Sequence, residues 1–276
     1  MNDWIKILRP YNSFMSGIGV IIGAVLVKYF LLYGLLLGFA TGFLITGFAM
    51  IINDILDVNI DRINRPERPL SSGRLKLGSA KYAALIMLAL GILASAALGA
   101  VELSIAVLFA LLSFFYNWRL KRLGLPGNAS VAASMSIPFV FGSLIKPELN
   151  SLIISLALTA FFAGVGREVI KGISDIEGDA KMGVKTVAVT RGSRQAAIIS
   201  TGFIIAAITA SYIPVLLDVN WWFPYGAGIT VVDLLFLVEI GSILRDNSGA
   251  NAYKVKSRIL FLMLAALVVY IVQGVI

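Results

Sequence analysis

The acidic side chains with the clearest spacing lie in residues 53–74, which read NDILDVNIDRINRPERPLSSGR and follow an almost uncharged apolar run. Asn53, Asp57 and Asp61 are spaced four residues apart, so they share one face if the preceding helix continues through them. Asp54 precedes Asp57 by three residues, on a neighbouring stripe. Like charges so placed repel each other, and a hard divalent cation such as Mg²⁺ offsets that repulsion while also binding substrate phosphates.

Basic side chains follow these carboxylates directly, namely Arg62, Arg65, Arg68 and Arg74. Guanidinium groups supply the paired donors that phosphate oxygens accept. The stretch therefore predicts a metal-bridged diphosphate site. The competing interpretation is a polar loop between two membrane helices, with its charges paired among themselves.

A second acidic stretch lies in residues 166–190, where Asp175 and Asp179 are again four apart. Glu177 lies between them, and Arg167, Lys171, Lys181 and Lys185 surround them. We expect both stretches at the same membrane face, above an apolar cavity that would hold an isoprenoid tail. Metal ions and cations would stabilise a departing diphosphate there, and the dry cavity would protect the carbocation left behind.

The composition indicates an integral membrane protein. Of 276 residues, 59% are hydrophobic and 14% charged, and the mean hydropathy is +0.91, whereas about a quarter of a soluble domain is charged. The chain has no cysteine and no histidine, which excludes thiolate chemistry, an imidazole base and the common zinc sites.

The fold class predicted is all-α and polytopic, a single transmembrane domain over residues 1–276. A membrane-spanning helix needs roughly 17–25 apolar residues. Nine runs qualify: 13–32, 34–53, 79–99, 101–118, 127–146, 150–170, 195–217, 222–244 and 256–275. They suggest two four-helix halves plus one helix, with Asp-rich loops after the second and sixth runs.

Charge asymmetry predicts the orientation in the membrane. Of the 23 lysines and arginines, only Lys28 and Lys146 fall on the side opposite the N-terminus, together with the acidic Glu102, Glu148 and Asp218. The positive-inside rule then makes the N-terminus and the mouth of the site cytoplasmic in a multi-pass cell-membrane protein. The net charge of +8 reports this topology rather than nucleic-acid binding.

The N-terminal segment, residues 2–12, is predicted to approach the membrane as a short amphipathic stretch, with Trp4 and Tyr11 at interfacial depth. Arg9 and Asn12 could reach a phosphate from it. The alternative is a plain topological anchor.

The motifs resemble those of the UbiA superfamily of intramembrane prenyltransferases over essentially the whole chain. The resemblance rests on NDxxDxxxD at 53–61, RPxRP at 65–69 and DxxxD at 175–179. The run RPERPLSSGR and REVIK at 167–171 are most similar to archaeal members. In these, a geranylgeranyl group passes from its diphosphate to geranylgeranylglyceryl phosphate and forms the second ether bond of a membrane lipid.

The resemblance implies roles for individual residues. Asn53, Asp54 and Asp57 would bind Mg²⁺ at the first motif, and Asp175 and Asp179 at the second. Asp61 would help to bind or would accept the acceptor's proton, so all five aspartates are catalytic candidates. The substrate-binding candidates are Asn12, Arg65, Arg68, Lys121, Asn128 and Lys171.

One basic residue departs from the family pattern. Members usually carry a lysine four residues after a tyrosine in the loop after the fourth helix, whereas Lys121 follows Tyr116 by five. The diphosphate contact therefore falls to Lys121 or Arg119, and we favour Lys121.

Two further ionisable residues, Asp233 and Glu239, lie in the eighth apolar run, where a charge is costly and marks a functional candidate. Six residues apart, they do not share a helix face. The alternative is that each is protonated or bonded to a neighbouring helix.

The expected partners are an isoprenoid diphosphate donor, a lipid-like acceptor and membrane lipids, with no protein partner. A different acceptor, an aromatic ring or a chlorophyllide-like macrocycle, is the nearest alternative. A secondary transporter is the alternative from another class.

Overall fold

The computed structural model describes residues 2–217 and 223–276, and within them every regular element is a helix. Asp218 lies outside this range. The helices are α1 (Asp3–Ile7), α2 (Pro10–Leu26), α3 (Leu32–Leu56), α4 (Val58–Asn64), α5 (Leu77–Ala96), α6 (Ala100–Trp118), α7 (Leu125–Leu144), α8 (Ser151–Ser174), α9 (Ile176–Lys181), α10 (Val187–Ser211), α11 (Ile213–Leu217), α12 (Tyr225–Arg245) and α13 (Gly249–Val275), with a 3₁₀ turn at Leu120–Arg122.

Seven of the described helices, α3, α5, α6, α8, α10, α12 and α13, are long and apolar enough to cross a membrane. This confirms a multi-pass membrane protein. Each of the nine predicted runs overlaps a long helix, but α2 has only 17 residues, and α7 carries Asn128, several serines and Pro138. Nine crossings therefore remain a prediction.

The chain divides into two compact units. The first comprises Met1–Ala24, Tyr29–Trp118 and Phe141–Glu148, and in it α3 packs against α5 and α6. Glycine allows a close approach there, because a Cβ added at Gly91 would lie 2.7 Å from Ile45 Cδ1. Small residues at helix contacts are the usual means of packing helices in lipid.

The second unit comprises Val25–Lys28, Arg119–Val140 and Leu149–Ile276. Here α8 packs against α10 and α13, and α12 packs against α13. A buried hydrogen-bond network crosses these helices: the hydroxyls of Ser155 and Tyr270 are 2.6 Å apart, and Tyr225 donates to the Ser211 carbonyl at 2.6 Å. Such groups are satisfied between helices because lipid offers them no partner.

Both ionisable residues of the eighth run have partners in this unit. Ser211 donates a 2.7 Å hydrogen bond to Asp233, and Arg258 Nε lies 3.2 Å from a Glu239 carboxylate oxygen. Asp233 is thus hydrogen-bonded to a neighbouring helix, and Glu239 forms an ion pair with one although its Oε2 accepts no hydrogen bond.

Candidate active site

The first acidic motif is built on two consecutive helices rather than on a loop. Helix α3 extends to Leu56, and Asp57 (φ −95°, ψ 2°) ends it and begins α4. The backbone hydrogen bonds nevertheless continue, from Asp57 to Asn53 at 3.0 Å and from Asp61 to Asp57 at 2.8 Å. The predicted stacking along one face is thus retained with a local break at Asp57, and the prediction of an Asp-rich loop is wrong here.

Asp54 is the most buried carboxylate of this motif, with 4% of its surface exposed. Arg9 donates to it at 2.6 Å and Arg68 at 3.3 Å. Arg68 also donates to Asp61 at 2.5 Å. A buried charge needs such partners. Arg68, one of the arginines after the motif, therefore pairs with its carboxylates, which is the kind of contact that the competing interpretation predicts.

The contact made by Arg9 has two features that bear on its role. The same nitrogen, Nη2, donates to Asp54 and, at 3.1 Å, to the amide oxygen of Asn53. Arg9 also has φ 43° although it precedes Pro10, a position where steric contact with the proline ring restricts the backbone. Backbone strain of this kind persists where the surrounding structure holds it, often at functional sites.

Asn12, the substrate-binding candidate from the same segment, points elsewhere. Its amide lies 3.7 Å from the Met50 sulfur. The structure thus brings Arg9, rather than Asn12, to the acidic motif.

Asn117, near the end of α6, is a further contributor, and unlike Arg9 it was not predicted. Asn53 donates to Asp57 at 2.9 Å and to Asn117 at 3.0 Å, and Asn117 in turn donates to the Ser113 carbonyl at 2.9 Å. The available clue was an amide side chain at the end of an apolar span, since a polar group there is costly unless it is bonded or functional.

The donor set of this motif fits a hard cation. The oxygens of Asn53 and Asp54 converge on one positively charged nitrogen, and oxygen ligands are those that Mg²⁺ prefers. In the chain as described, no three acidic side chains form a metal cage. Mg²⁺ often takes one or two carboxylates and completes its coordination with water and substrate phosphates, so the motif suits an ion that arrives with a diphosphate.

The second acidic motif also begins at the end of a membrane helix. Asp175 ends α8 and begins the short helix α9, where a loop had been predicted. Ser174 donates to the Asp175 carboxylate at 2.7 Å, and Lys256, from α13, donates to Ser174 at 3.0 Å and lies 3.7 Å from the same carboxylate oxygen. Lys256 had not been selected, because nothing in its local sequence links it to Asp175.

Electrostatics at Asp179 agree with a cation-binding role. Partial burial and the negative charge of Asp175 raise the pKa of Asp179, and Lys171 opposes the shift. Carboxylates that penalise each other's ionisation are stabilised by a shared cation.

The remaining substrate candidates have varied surroundings. Lys171 lies 3.3 Å from Glu168, which is also 2.7 Å from Arg167. Arg65 is exposed at the end of α4. Lys121 lies in the 3₁₀ turn and Asn128 in the first turn of α7, both within the second unit.

Comparisons with known proteins place the chain in one family. The model of the UbiA prenyltransferase family matches residues 16–272. The chain is 37% identical over 229 residues to digeranylgeranylglyceryl phosphate synthase of Methanothermobacter thermautotrophicus, covering 79% of this chain and 81% of that protein.

Solved structures support the same family and fold. A structure of digeranylgeranylglyceryl phosphate synthase, 30% identical, covers 99% of this chain and 98% of its own with a TM-score of 0.90. A UbiA homolog from Archaeoglobus fulgidus bound to GPP and Mg²⁺, 18% identical, covers 99% of both chains with a TM-score of 0.74 and shares the fold. The chain belongs to the UbiA prenyltransferase family and is a membrane prenyltransferase.

Proposed function

We propose that the protein transfers a geranylgeranyl group from geranylgeranyl diphosphate to geranylgeranylglyceryl phosphate, in a Mg²⁺-dependent reaction that forms the second ether bond of archaeal lipids. The observation that carries this choice of acceptor is the surplus of cationic groups at the first motif. Arg9 and Arg68 both pair with Asp54, and Lys6 and Arg74 line the same cavity. A neutral ring acceptor would have no use for the additional charges.

The similar proteins support the same choice. The relative and the first solved structure named above are digeranylgeranylglyceryl phosphate synthases, and the more distant solved structure holds a prenyl diphosphate with Mg²⁺. We place the site at the cytoplasmic face on the basis of the positive-inside asymmetry.

The acidic motifs would hold the metal. Asn53, Asp54 and Asp57 in the first motif and Asp175 and Asp179 in the second are its proposed ligands. Mg²⁺, when bound, supplies Lewis-acid neutralisation of the diphosphate oxygens.

The chain's own cations would complete the binding of the diphosphate. Arg68 is oriented for this by its short contact with Asp61, and Arg9 by Asn53 and Asp54. Guanidinium groups so fixed lose little freedom when they bind phosphate.

The reaction breaks the allylic C–O bond of the donor and forms a C–O bond to the acceptor's free hydroxyl. The diphosphate leaves with the bonding electron pair, and the hydroxyl proton passes to the diphosphate or to Asp61. A weak base suffices, because that proton becomes acidic only as the new bond forms. Of these two proton acceptors the diphosphate is the more accessible, because one oxygen of Asp61 already accepts a hydrogen bond from Arg68.

A product assay tests this function. Purified protein in detergent receives Mg²⁺, geranylgeranyl diphosphate and, in parallel, geranylgeranylglyceryl phosphate, hydroxybenzoate or a chlorophyllide, with lipids detected by mass. We expect a diprenylated glyceryl phosphate that is lost with EDTA and in a folded Asp54→Ala variant. Prenylation of a ring alone would keep the family chemistry and refute the acceptor.

A further inference from the structure

A cavity of about 410 Å³ opens beside the first acidic motif, within the first unit. It is lined by Lys6, Arg9, Asp54, Glu67, Arg68, Pro69 and Arg74. Its volume lies in the range of small-ligand sites. Four cationic side chains against two carboxylates make its wall positively charged, so it suits an anion.

The cations form two groups that have different partners. Arg9 and Arg68 are bound to Asp54 and thus belong to the proposed metal and diphosphate site. Lys6 and Arg74 instead share Asp3, with Arg74 Nε 3.0 Å and Lys6 Nζ 3.8 Å from its oxygens.

The second group is both held in place and open to a ligand. Arg74 donates to the Glu67 carbonyl at 2.6 Å, which fixes its guanidinium. The side chains of Lys6 and Arg74 are 42% and 44% exposed. One carboxylate does not neutralise two cations, so this group retains a net positive charge.

We infer that Lys6 and Arg74 bind the phosphate monoester of the acceptor lipid, an inference that rests on the proposed function. A phosphate dianion calls for two cationic donors, and arginine presents a fork that matches its oxygens. The acceptor's free hydroxyl is on the carbon next to the one that bears the phosphate. A phosphate held in this cavity therefore keeps the hydroxyl a few bonds from the wall that contains Asp54.

The position of Lys6 on α1 favours the headgroup of a lipid as the source of this phosphate. Lys6 lies on this short helix beside Trp4 and Ile5, which are 40% and 44% exposed. An exposed aromatic and aliphatic surface next to a lysine is typical of the membrane interface, where the headgroup of a lipid acceptor lies while its chain stays in the bilayer.

Steady-state kinetics with each substrate varied separately test the inference. We expect Arg74→Gln and Lys6→Gln each to raise KM for geranylgeranylglyceryl phosphate roughly tenfold, the loss of one charge-assisted hydrogen bond. The KM for geranylgeranyl diphosphate should stay unchanged, which also shows that the variants fold. Lys76→Gln is the matched control, because Lys76 is exposed and does not line the cavity.

A neutral acceptor separates phosphate recognition from general damage. The wild-type protein should prefer geranylgeranylglyceryl phosphate to geranylgeranylglycerol, and the two variants should lose that preference without losing turnover of the neutral lipid. Arg74→Lys should retain more of the preference for the phosphorylated acceptor than Arg74→Gln does.

Direct binding of geranylgeranylglyceryl phosphate in EDTA, measured by calorimetry, decides the matter independently of turnover. We expect weaker binding in both variants and unchanged binding in Lys76→Gln. A raised donor KM would assign the cavity to the donor's diphosphate, and unchanged binding would also overturn the inference. A wild-type protein that binds this lipid through Arg74 yet forms no ether would refute only the proposed function.

Discussion

Arg9 donates a 2.6 Å hydrogen bond to the carboxylate of Asp54, whose side chain is 5% exposed. The two residues lie 45 positions apart, so this contact connects the segment before α2 with the end of α3. Leaving a buried carboxylate without its partner is costly. Arg68 is a second partner at 3.3 Å, which limits but does not remove that cost.

Replacing Arg9 with glutamine should therefore destabilise the protein as well as slow transfer. We expect the free energy of unfolding to fall by about 1–2 kcal/mol, because a charge-assisted contact to a buried carboxylate is lost while Arg68 remains. Denaturation in detergent, without Mg²⁺, measures the change. Arg62→Gln, an exposed change on α4, is the control; equal stability of the two variants would refute the assigned role of Arg9.

The acidic motifs could be predicted from the sequence because their spacing is local, whereas their partners on distant helices could not. Asn53 contacts Asn117 across 64 positions, and Lys256 contacts Ser174 across 82. Helix packing decides these contacts, and no local pattern encodes it. Likewise α4 and α9 were expected to be loops, because their polar residues lack the apolar periodicity that indicates a helix.

Lys256 should act as a positioning residue for Asp175 through Ser174. Lys256→Gln keeps a donor for the Ser174 hydroxyl, whereas Lys256→Met removes it. We expect Lys256→Met to reduce turnover by roughly 10–100-fold, the usual cost of losing a group that orients a metal ligand, and Lys256→Gln to retain more of it. The apparent affinity for Mn²⁺, followed by electron paramagnetic resonance, should fall in the same order.

Lys254→Gln, an exposed change on the same helix, controls for the loss of positive charge at this membrane face. Identical turnover and Mn²⁺ affinity in the glutamine and methionine variants of Lys256 would contradict positioning through Ser174.

Asp179 should destabilise the metal-free protein at neutral pH. Burial and Asp175 raise its pKa, so the folded state favours the protonated form and ionisation near pH 7 costs stability. We expect Asp179→Asn to raise Tm in EDTA at pH 7, an advantage that shrinks as the pH falls through the raised pKa and Asp179 itself becomes neutral. Transfer activity should be lost.

Measuring the same Tm values with Mg²⁺ present tests whether Asp179 binds the ion. The ion should raise the Tm of the wild-type protein more than that of the Asp179→Asn variant, because the variant lacks one proposed ligand. Glu177→Gln, on the exposed side of α9, should change neither value. A Tm in EDTA that is lower for Asp179→Asn than for the wild type would show that the charge stabilises the fold.

Asp233 should prove dispensable for transfer although it is buried in a membrane helix. Its carboxylate accepts a hydrogen bond from the Ser211 hydroxyl at 2.7 Å, and an asparagine oxygen can accept the same bond. We therefore expect Asp233→Asn to retain wild-type kcat and KM, while Asp233→Leu leaves the hydroxyl without that acceptor and lowers the free energy of unfolding by about 1 kcal/mol, the scale of an interhelical hydrogen bond in a membrane. Kinetics and detergent denaturation of both variants separate a role of Asp233 in the reaction from a role in stability. A large loss of kcat in a stable Asp233→Asn protein would instead require the ionisable carboxyl group in the reaction, since the asparagine preserves the size and the hydrogen bond.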